Sequence, residues 1–253
     1  MCIQKMKTLA IIQARMSSRR LPGKVLMKVG DKTLIDRTID SAMVAKNIGK
    51  VYVATSEDKS DDVLYDHLVK KNICVFRGSL NDVFSRYYEI ALLEEQNYEN
   101  VVRLTGDCPL IDPKIIDETI IEHTQNNNDY TSTGLSKSYP LGQAVEVIKI
   151  ETLLNLKKEQ LEKEDLEHVT RYIWKRPNEF VCGSKVYINK NFPNCSELRL
   201  TVDQIEDFEL IEKIVKDLNY EKEKNVSLEK IIEFLYSNPE LIKINKNVKQ
   251  IQV

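Results

Sequence analysis

Four cations stand close together near the start of the chain: Arg15, Arg19, Arg20 and Lys24, within AIIQARMSSRRLPGKVL (Ala10 to Leu26). Ser17, Ser18 and Gly23 lie between them, small residues that let backbone N–H groups approach a ligand. Clustered cations beside such residues suit a polyphosphate, which takes several charge-assisted hydrogen bonds at once. A solvated basic loop has the same composition. That plainer reading gives no reason for the loop to fall directly after the first hydrophobic strand.

A second constellation is a pair. RLTGD (Arg103–Asp107) and RLTVD (Arg199–Asp203) agree at four of five positions, and each ends a strand-like run on a carboxylate. If both strands lie in one parallel sheet, Asp107 and Asp203 emerge at the same edge, facing the cationic loop. Two carboxylates there form a candidate Mg2+ site, since Mg2+ is held by one or two carboxylates plus substrate phosphates. The competing reading is structural, because Asp ends many strands as a turn former or helix N-cap and helices follow both motifs.

These groups need a scaffold to hold them. Apolar, β-branched runs at Thr8–Ile12, Val51–Thr55, Ile73–Phe76 and Asn100–Leu104 alternate with amphipathic stretches at Leu34–Lys46, Asp61–Lys71 and Asp82–Gln96. Strands alternating with helices predict βαβ units and an α/β fold with a mostly parallel, doubly wound sheet. Such sheets bind ligands beyond the carboxyl ends of their strands. A further helix is predicted over Pro113–Gln125, with Asp112 as N-cap and Pro113 at its first position. After Asn126 the chain turns polar, in NNNDYTSTGLSKSYPLGQ. It then offers a strand at Ala144–Ile150, helices at Glu151–Leu161 and Glu164–Lys175, a strand at Ser196–Asp203 returning to the main sheet, and a helix at Ile205–Leu218. The expected organisation is one domain over residues 1–253. Its core is 8–126 and 196–218, with an inserted substrate or dimerisation subdomain at 127–195. A helical C-terminal appendage, 219–253, carries one amphipathic helix (Leu228–Tyr236) read as solvated.

Composition narrows the function class. The chain has 253 residues, 42% of them hydrophobic, enough to bury a core. Lys and Arg number 37 against 39 Asp and Glu, a formal net charge of -2. Without a global basic field, nucleic-acid binding is not expected, and any anion must be captured locally. No segment approaches the ~18 apolar residues that span a bilayer. The opening MCIQKMKTLAIIQAR lacks the h-region and cleavage site of a secretory signal. The cysteines, Cys2, Cys74, Cys108, Cys182 and Cys195, show no zinc-site spacing and read as reduced thiols of a cytoplasmic protein.

The strings IIQARMSSRRLPGK, VFRGSLNDVFSRY, VVRLTGDCPLID, EHVTRYI and LRLTVDQIEDFELI resemble the spore-coat polysaccharide biosynthesis (SpsF-type) nucleotidyltransferases. Those enzymes are relatives of the cytidylyltransferases that activate 3-deoxy-manno-octulosonate and acylneuraminate. The resemblance runs from about Leu9 to Leu218. It implies a GT-A-like nucleotidyltransferase fold, Mg2+ dependence and a homodimer. The implied reaction is CTP-dependent activation of a sugar, sugar phosphate or similar phosphorylated small molecule for surface polysaccharide synthesis, with release of pyrophosphate. By position it assigns Gln13, Ala14, Arg15, Ser17, Ser18, Arg19 and Lys24 to the nucleotide loop, and Thr105 and Gly106 to the same site. Arg77, Ser79, Asp82, Arg86 and Arg103 would lie near base and ribose. Asp107 and Asp203 would hold the metal, while Arg15, Arg19 and Lys24 would offset charge on the leaving pyrophosphate. Met16, Ser17 and Ser18 stand where broader sugar-nucleotide pyrophosphorylases carry a Gly-rich loop.

Acceptor recognition is expected from the middle segment, at Tyr139, Gly142, Glu146, His168 and Arg171. On one helix, the three-residue step from His168 to Arg171 would place both on one face, suited to an anionic acceptor. A surface or capping histidine is the competing reading, and His67 and His123 are assigned no role. Two other functions share features of this pattern. A GT-A-type glycosyltransferase usually holds its metal with a D-x-D motif, and no two Asp residues here stand two apart. A non-catalytic nucleotide-binding protein would not need the cationic loop together with both carboxylates.

Overall fold

The first strand, β1 (Thr8–Gln13), sits in the middle of the molecule, and its alternating side chains show why. Successive residues of a strand point to opposite faces. Ala10 and Ile12 enter one hydrophobic layer, Leu9 and Ile11 the other, and all four are fully buried. A strand covered on both faces is typical of a parallel sheet. The computed structural model describes residues 8–220, 222 and 226–250.

Eight further strands follow: β2 (Lys28–Val29), β3 (Lys32–Thr33), β4 (Ile48–Ser56), β5 (Cys74–Gly78), β6 (Asn100–Thr105), β7 (Tyr130–Ser132), β8 (Glu146–Lys149) and β9 (Cys182–Ser184). Apart from the β2–β3 hairpin they form one 7-stranded sheet in the order β5-β4-β1-β6-β8-β7-β9. The strands β5, β4, β1 and β6 run parallel. β8 is antiparallel to both of its neighbours, and β9 is parallel to β7. The sheet is therefore mostly parallel, as expected. Strands from the 127–195 region extend it.

The α-helices among the described residues are α1 (Leu34–Val44), α2 (Asp62–Lys70), α3 (Val83–Glu94), α4 (Pro113–Gln125), α5 (Ile150–Asn155), α6 (Lys163–His168), α7 (Arg171–Trp174), α8 (Ile205–Asp217), α9 (Leu228–Ser237) and α10 (Pro239–Ile242). Apolar stripes of α1, α2, α4, α8 and α9 pack on one face of the sheet, and those of α3, α5 and α7 on the other. Asp112 caps α4 as expected, accepting from Lys114 N at 2.8 Å ahead of Pro113. No helix among the described residues is long and apolar enough to cross a membrane.

Three expectations are corrected. The stretch Ser196–Asp203 is not a strand of the main sheet. It begins as a 3-10 turn (Cys195–Glu197) and then makes a single bridge, Arg199 to Leu141. Leu198, Leu200 and Val202 alternate because they point into the core, while the backbone bonds to the loop residue Leu141 and then to Asp107. The expected helix 164–175 is two short ones, α6 and α7, broken at Val169 with φ 54. The C-terminal helix is not solvated either. Leu228, Ile231, Ile232 and Leu235 form an i, i+3, i+4, i+7 stripe that is fully buried in the main core. Four cysteines fall among the described residues: Cys108 and Cys195 are buried, Cys182 half-buried and Cys74 exposed. Cys2 and the opening segment MCIQKMK lie outside the described residues, as do residues 221, 223–225 and 251–253 of the C-terminal segment.

Candidate active site

Where β1 ends, the chain is pinned before it becomes the basic loop. Met16 N donates to Asp61 Oδ1 at 2.6 Å, and Asp61 is fully buried. The other oxygen of Asp61 accepts from Ser56 N at 3.1 Å and from the Ser56 hydroxyl. The Met16 carbonyl in turn accepts from Ser18 N at 2.9 Å and Gly23 N at 2.8 Å. Gly23 has φ 75, a left-handed conformation that glycine takes without strain, and it turns the chain into the 3-10 turn Lys24–Leu26. The loop thus closes on Met16. Arg15, Ser18, Arg19 and Arg20 are left around an open cleft of about 590 Å³ at the carboxyl ends of the central strands.

Lys24 does not point freely into that cleft. It is 7% exposed, and its ammonium donates to Asp107 Oδ2 at 2.8 Å, Asp203 Oδ1 at 2.9 Å and the Val202 carbonyl at 2.7 Å. All three N–H groups are used. Burial alone would lower its pKa, but the two carboxylates outweigh burial and hold Lys24 above the ordinary lysine value. Asp203 shows the reverse balance. Burial would raise it, and Lys24, Arg20 and Arg199 together bring it below the usual carboxylate range. Its Oδ2 accepts from Arg20 at 2.9 Å and from Arg199 at 2.6 Å.

Behind this pair, Arg199 Nε binds Asp207 Oδ1 at 2.7 Å, and Asp207 is fully buried. Asp207 Oδ2 accepts from the backbone of Asp203 and Gln204 at 2.9 and 3.1 Å, closing the first turn of α8. So Asp107 and Asp203 do meet, though not as neighbours on one sheet edge. Asp107 follows β6, and Asp203 arrives on a segment whose Val202 N donates to the Asp107 carbonyl at 2.9 Å.

The pair suits a hard divalent cation. Both are hard carboxylate donors, and the Lys24 ammonium now lying between them would have to move aside for the ion. No group of three or more His, Cys, Asp or Glu side chains among the described residues could hold a metal alone. A Mg2+ ion there would depend on substrate phosphates and water for its remaining ligands, its usual mode of binding.

Fourteen of the sequence-predicted residues line the cleft: Gln13, Ala14, Arg15, Ser18, Arg19, Arg20, Lys24, Arg86, Thr105, Gly106, Asp107, Gly142, His168 and Asp203. Gly142 has φ +98, and a Cβ there would lie 2.5 Å from the Leu200 carbonyl carbon, so this wall of the cleft needs glycine. Burial lowers the pKa of His168.

Eight predicted residues stand outside the cleft lining, and for most the reason is a partner elsewhere. Ser17 is exposed in the loop, outside the cleft lining. Arg77 bonds the Ser56 and Asp58 carbonyls and pairs with Asp62 at 2.7 Å. Ser79 accepts from Asp82 N, and Asp82 caps α3. Arg103 and Glu146, assigned to nucleotide and acceptor, are paired with each other. Tyr139 packs on Tyr187 with ring centroids 5.1 Å apart. Arg171 is held by Asp165 at 2.6 Å, and the break at Val169 ends the shared helix face expected for His168 and Arg171.

The cleft also contains residues outside that set. Glu167, Thr201 and Gln250 are among them. Of the residues expected near base and ribose, Arg86 is the one that reaches the cleft, and it is the most informative. It is 2% exposed, donates one bond, to the Ala54 carbonyl at 3.2 Å, and leaves Nε without a partner. No carboxylate among the described residues pairs with it, and burial pulls its pKa below the ordinary arginine value. Its three-residue step from Val83, which also lines the cleft, is the sequence signal for a shared helix face.

The chain matches the cytidylyltransferase family over residues 9–244. It is 36% identical to an uncharacterized protein of Methanocaldococcus jannaschii over 247 residues, 97% of each chain. It is 34% identical to the spore coat polysaccharide biosynthesis protein SpsF of Bacillus subtilis, over 92% of this chain and 95% of that one. Among solved structures, a cytidylyltransferase from Leptospira borgpetersenii superposes with a TM-score of 0.84 at 31% identity, covering 98% of this chain and 100% of the other.

Proposed function

The chain belongs to the cytidylyltransferase family, and from that premise we propose that it transfers a cytidylyl group from CTP to a sugar, sugar phosphate or similar phosphorylated small molecule. The product would serve surface polysaccharide synthesis, in the cytoplasm where the nucleotide is made. The observation that carries this reading is Arg86, a buried guanidinium that pairs with no carboxylate among the described residues and opens on the cleft that holds the basic loop and the carboxylate pair. A buried unpaired charge is costly, so such a site favours an anionic ligand.

In this reading the acceptor oxygen attacks the α-phosphorus in line, and pyrophosphate leaves. Little covalent work falls to the protein, and positioning with charge neutralisation dominates. Arg15, Arg19, Arg20 and Arg86 orient the triphosphate and offset charge on the leaving group. Asp107 and Asp203 would hold Mg2+, which when bound polarises phosphate oxygens and offsets their charge. A phosphate acceptor is already ionised and needs no base.

Pyrophosphate release tests the proposal. The protein is incubated with Mg2+, each of CTP, UTP, GTP and ATP, and a panel of sugar phosphates and acidic sugars. Release is expected with CTP and at least one acceptor. Release with another nucleotide alone would reassign the base. No release together with no nucleotide binding by calorimetry would overturn the enzyme reading.

We also propose a homodimer. Val181, Val186 and Ile188 are exposed beside β9, the edge strand of the sheet, and Ile188 is 77% exposed. Apolar side chains along an open sheet edge favour burial against another chain. Light scattering at tens of micromolar is expected to give twice the protomer mass, and a monomer under those conditions would remove this part of the proposal.

A further inference from the structure

Gln13 ends β1 in register with Ala54 of β4 on one side and Thr105 of β6 on the other. Strand order turns about β1, and the crevice at that point is where α/β sheets bind ligands. Gln13 is half-buried and lines the cleft. Its Oε1 accepts from Arg103 Nε at 3.1 Å and lies 3.4 Å from the Tyr87 hydroxyl. A guanidinium only donates, so the end of the amide that meets Arg103 must be the oxygen. That settles which way the amide points. Its nitrogen, without a partner among the described residues, is the group Gln13 offers the cleft.

Arg103 is in no position to release it. Its guanidinium pairs with Glu146, whose Oε1 accepts from the Tyr130 hydroxyl at 2.5 Å and the Thr170 hydroxyl at 2.8 Å. Tyr130 lies on β7, and Thr170 follows the break between α6 and α7. A relay of satisfied polar groups therefore runs from the 127–195 region to the end of β1 and holds one amide in one orientation.

We infer that Gln13 is a specificity-determining residue that presents a fixed amide donor to a neutral hydrogen-bond acceptor on the substrate, with Arg103 and Glu146 as its positioning residues. The inference rests on the nucleotidyl-transfer reading above. Anionic groups already have Arg15, Arg19, Arg20 and Arg86, so an uncharged donor is suited to an uncharged oxygen or ring nitrogen. The carbonyl and ring-nitrogen edge of a pyrimidine offers that chemistry, and so does a carbonyl or hydroxyl oxygen of the sugar acceptor.

The test is Gln13→Met, which removes the donor without adding charge. Dissociation constants are measured by calorimetry for CTP, UTP, GTP, ATP and inorganic tripolyphosphate, with KM for the acceptor. A nucleotide Kd raised about 10–100-fold, with tripolyphosphate within about 3-fold of wild type, assigns the donor to the base or ribose. The same rise in acceptor KM, with nucleotide Kd unchanged, assigns it to the acceptor. Gln13→Glu keeps an oxygen facing Arg103 and is expected to repeat the loss relative to its own tripolyphosphate affinity. Glu146→Gln loosens Arg103 and is expected to narrow the ratio between preferred and rejected nucleotides, a readout that a purely structural role would not move. Wild-type Kd and KM in Gln13→Met overturn the inference. A wild type that prefers a nucleotide other than CTP refutes the cytidylyl reading alone, since the comparison proceeds with that nucleotide. A wild type that binds none refutes both.

Discussion

Replacing Asp107 with asparagine is expected to cut turnover about 10³-fold while leaving the fold in place. The backbone role of Asp107 survives the change, because Val202 N and the Thr201 hydroxyl bond its carbonyl rather than its side chain. The asparagine oxygen can still accept from Lys24, so packing around the ammonium is kept. What is lost is one of two negative charges that a divalent cation would use. A metal seat with only two protein carboxylates has no reserve when one becomes neutral. Steady-state pyrophosphate release measures the first effect, and Mn2+ binding followed by electron paramagnetic resonance measures the second without relying on turnover. Wild-type activity with wild-type Mn2+ binding would remove Asp107 from the metal site.

Lys24→Met carries the second large effect, and it falls on stability as well as catalysis. Methionine matches the length of lysine but leaves Asp107 and Asp203 facing each other without the ammonium that bonds both. The side chains of Lys24, Asp107 and Asp203 are 8%, 25% and 13% exposed, so solvent screens the repulsion only in part. Removing one partner from such a buried set costs about 3 kcal/mol, which lowers Tm by about 10 °C in a chain of this size. Turnover is expected to fall about 100-fold in parallel, because the basic wall of the cleft loses its inner charge. The double variant Lys24→Met/Asp107→Asn should recover about 1–2 kcal/mol while remaining inactive, since Asp203 keeps Arg20 and Arg199. A Lys24→Met protein as stable as wild type would show that the ammonium is not the counter-ion of the pair.

The parallel half of the fold is legible in the sequence because each element there carries its own signal. Strands β1, β4 and β6 are rich in buried apolar and β-branched residues, and α1, α3 and α4 have apolar stripes at helical spacing. Helix α4 is legible to the residue, since Asp112 and Pro113 mark its start by local chemistry. The stretch from Leu198 to Val202 shows where that reasoning ends. Alternation reports which side chains are buried, but it does not report whether a backbone ladder exists on either side. Likewise, charged residues in the C-terminal segment outnumber the apolar stripe of α9, and composition hides the fact that the stripe has a core to enter.

For the candidate site, residue types and their order were enough to expect the cationic loop and the two carboxylates in one place. A cationic loop after the first buried strand and two carboxylates ending the RLT motifs converge on one cleft. The availability of each charge is another matter. Lys24 is bonded across 83 residues to Asp107 and across 179 to Asp203, Arg103 is consumed by Glu146, and Arg171 by Asp165. Arg86, by contrast, forms no ion pair with a carboxylate among the described residues, and its Nε has no partner there. From the sequence alone follow the strand and helix periods, the caps and the clustering of like charge, because these depend on near neighbours along the chain. Only the tertiary structure decides which cations are paired with acids among the described residues, which are not, and which way the Gln13 amide points. Those depend on partners that the fold brings within 3 Å and that spacing does not encode.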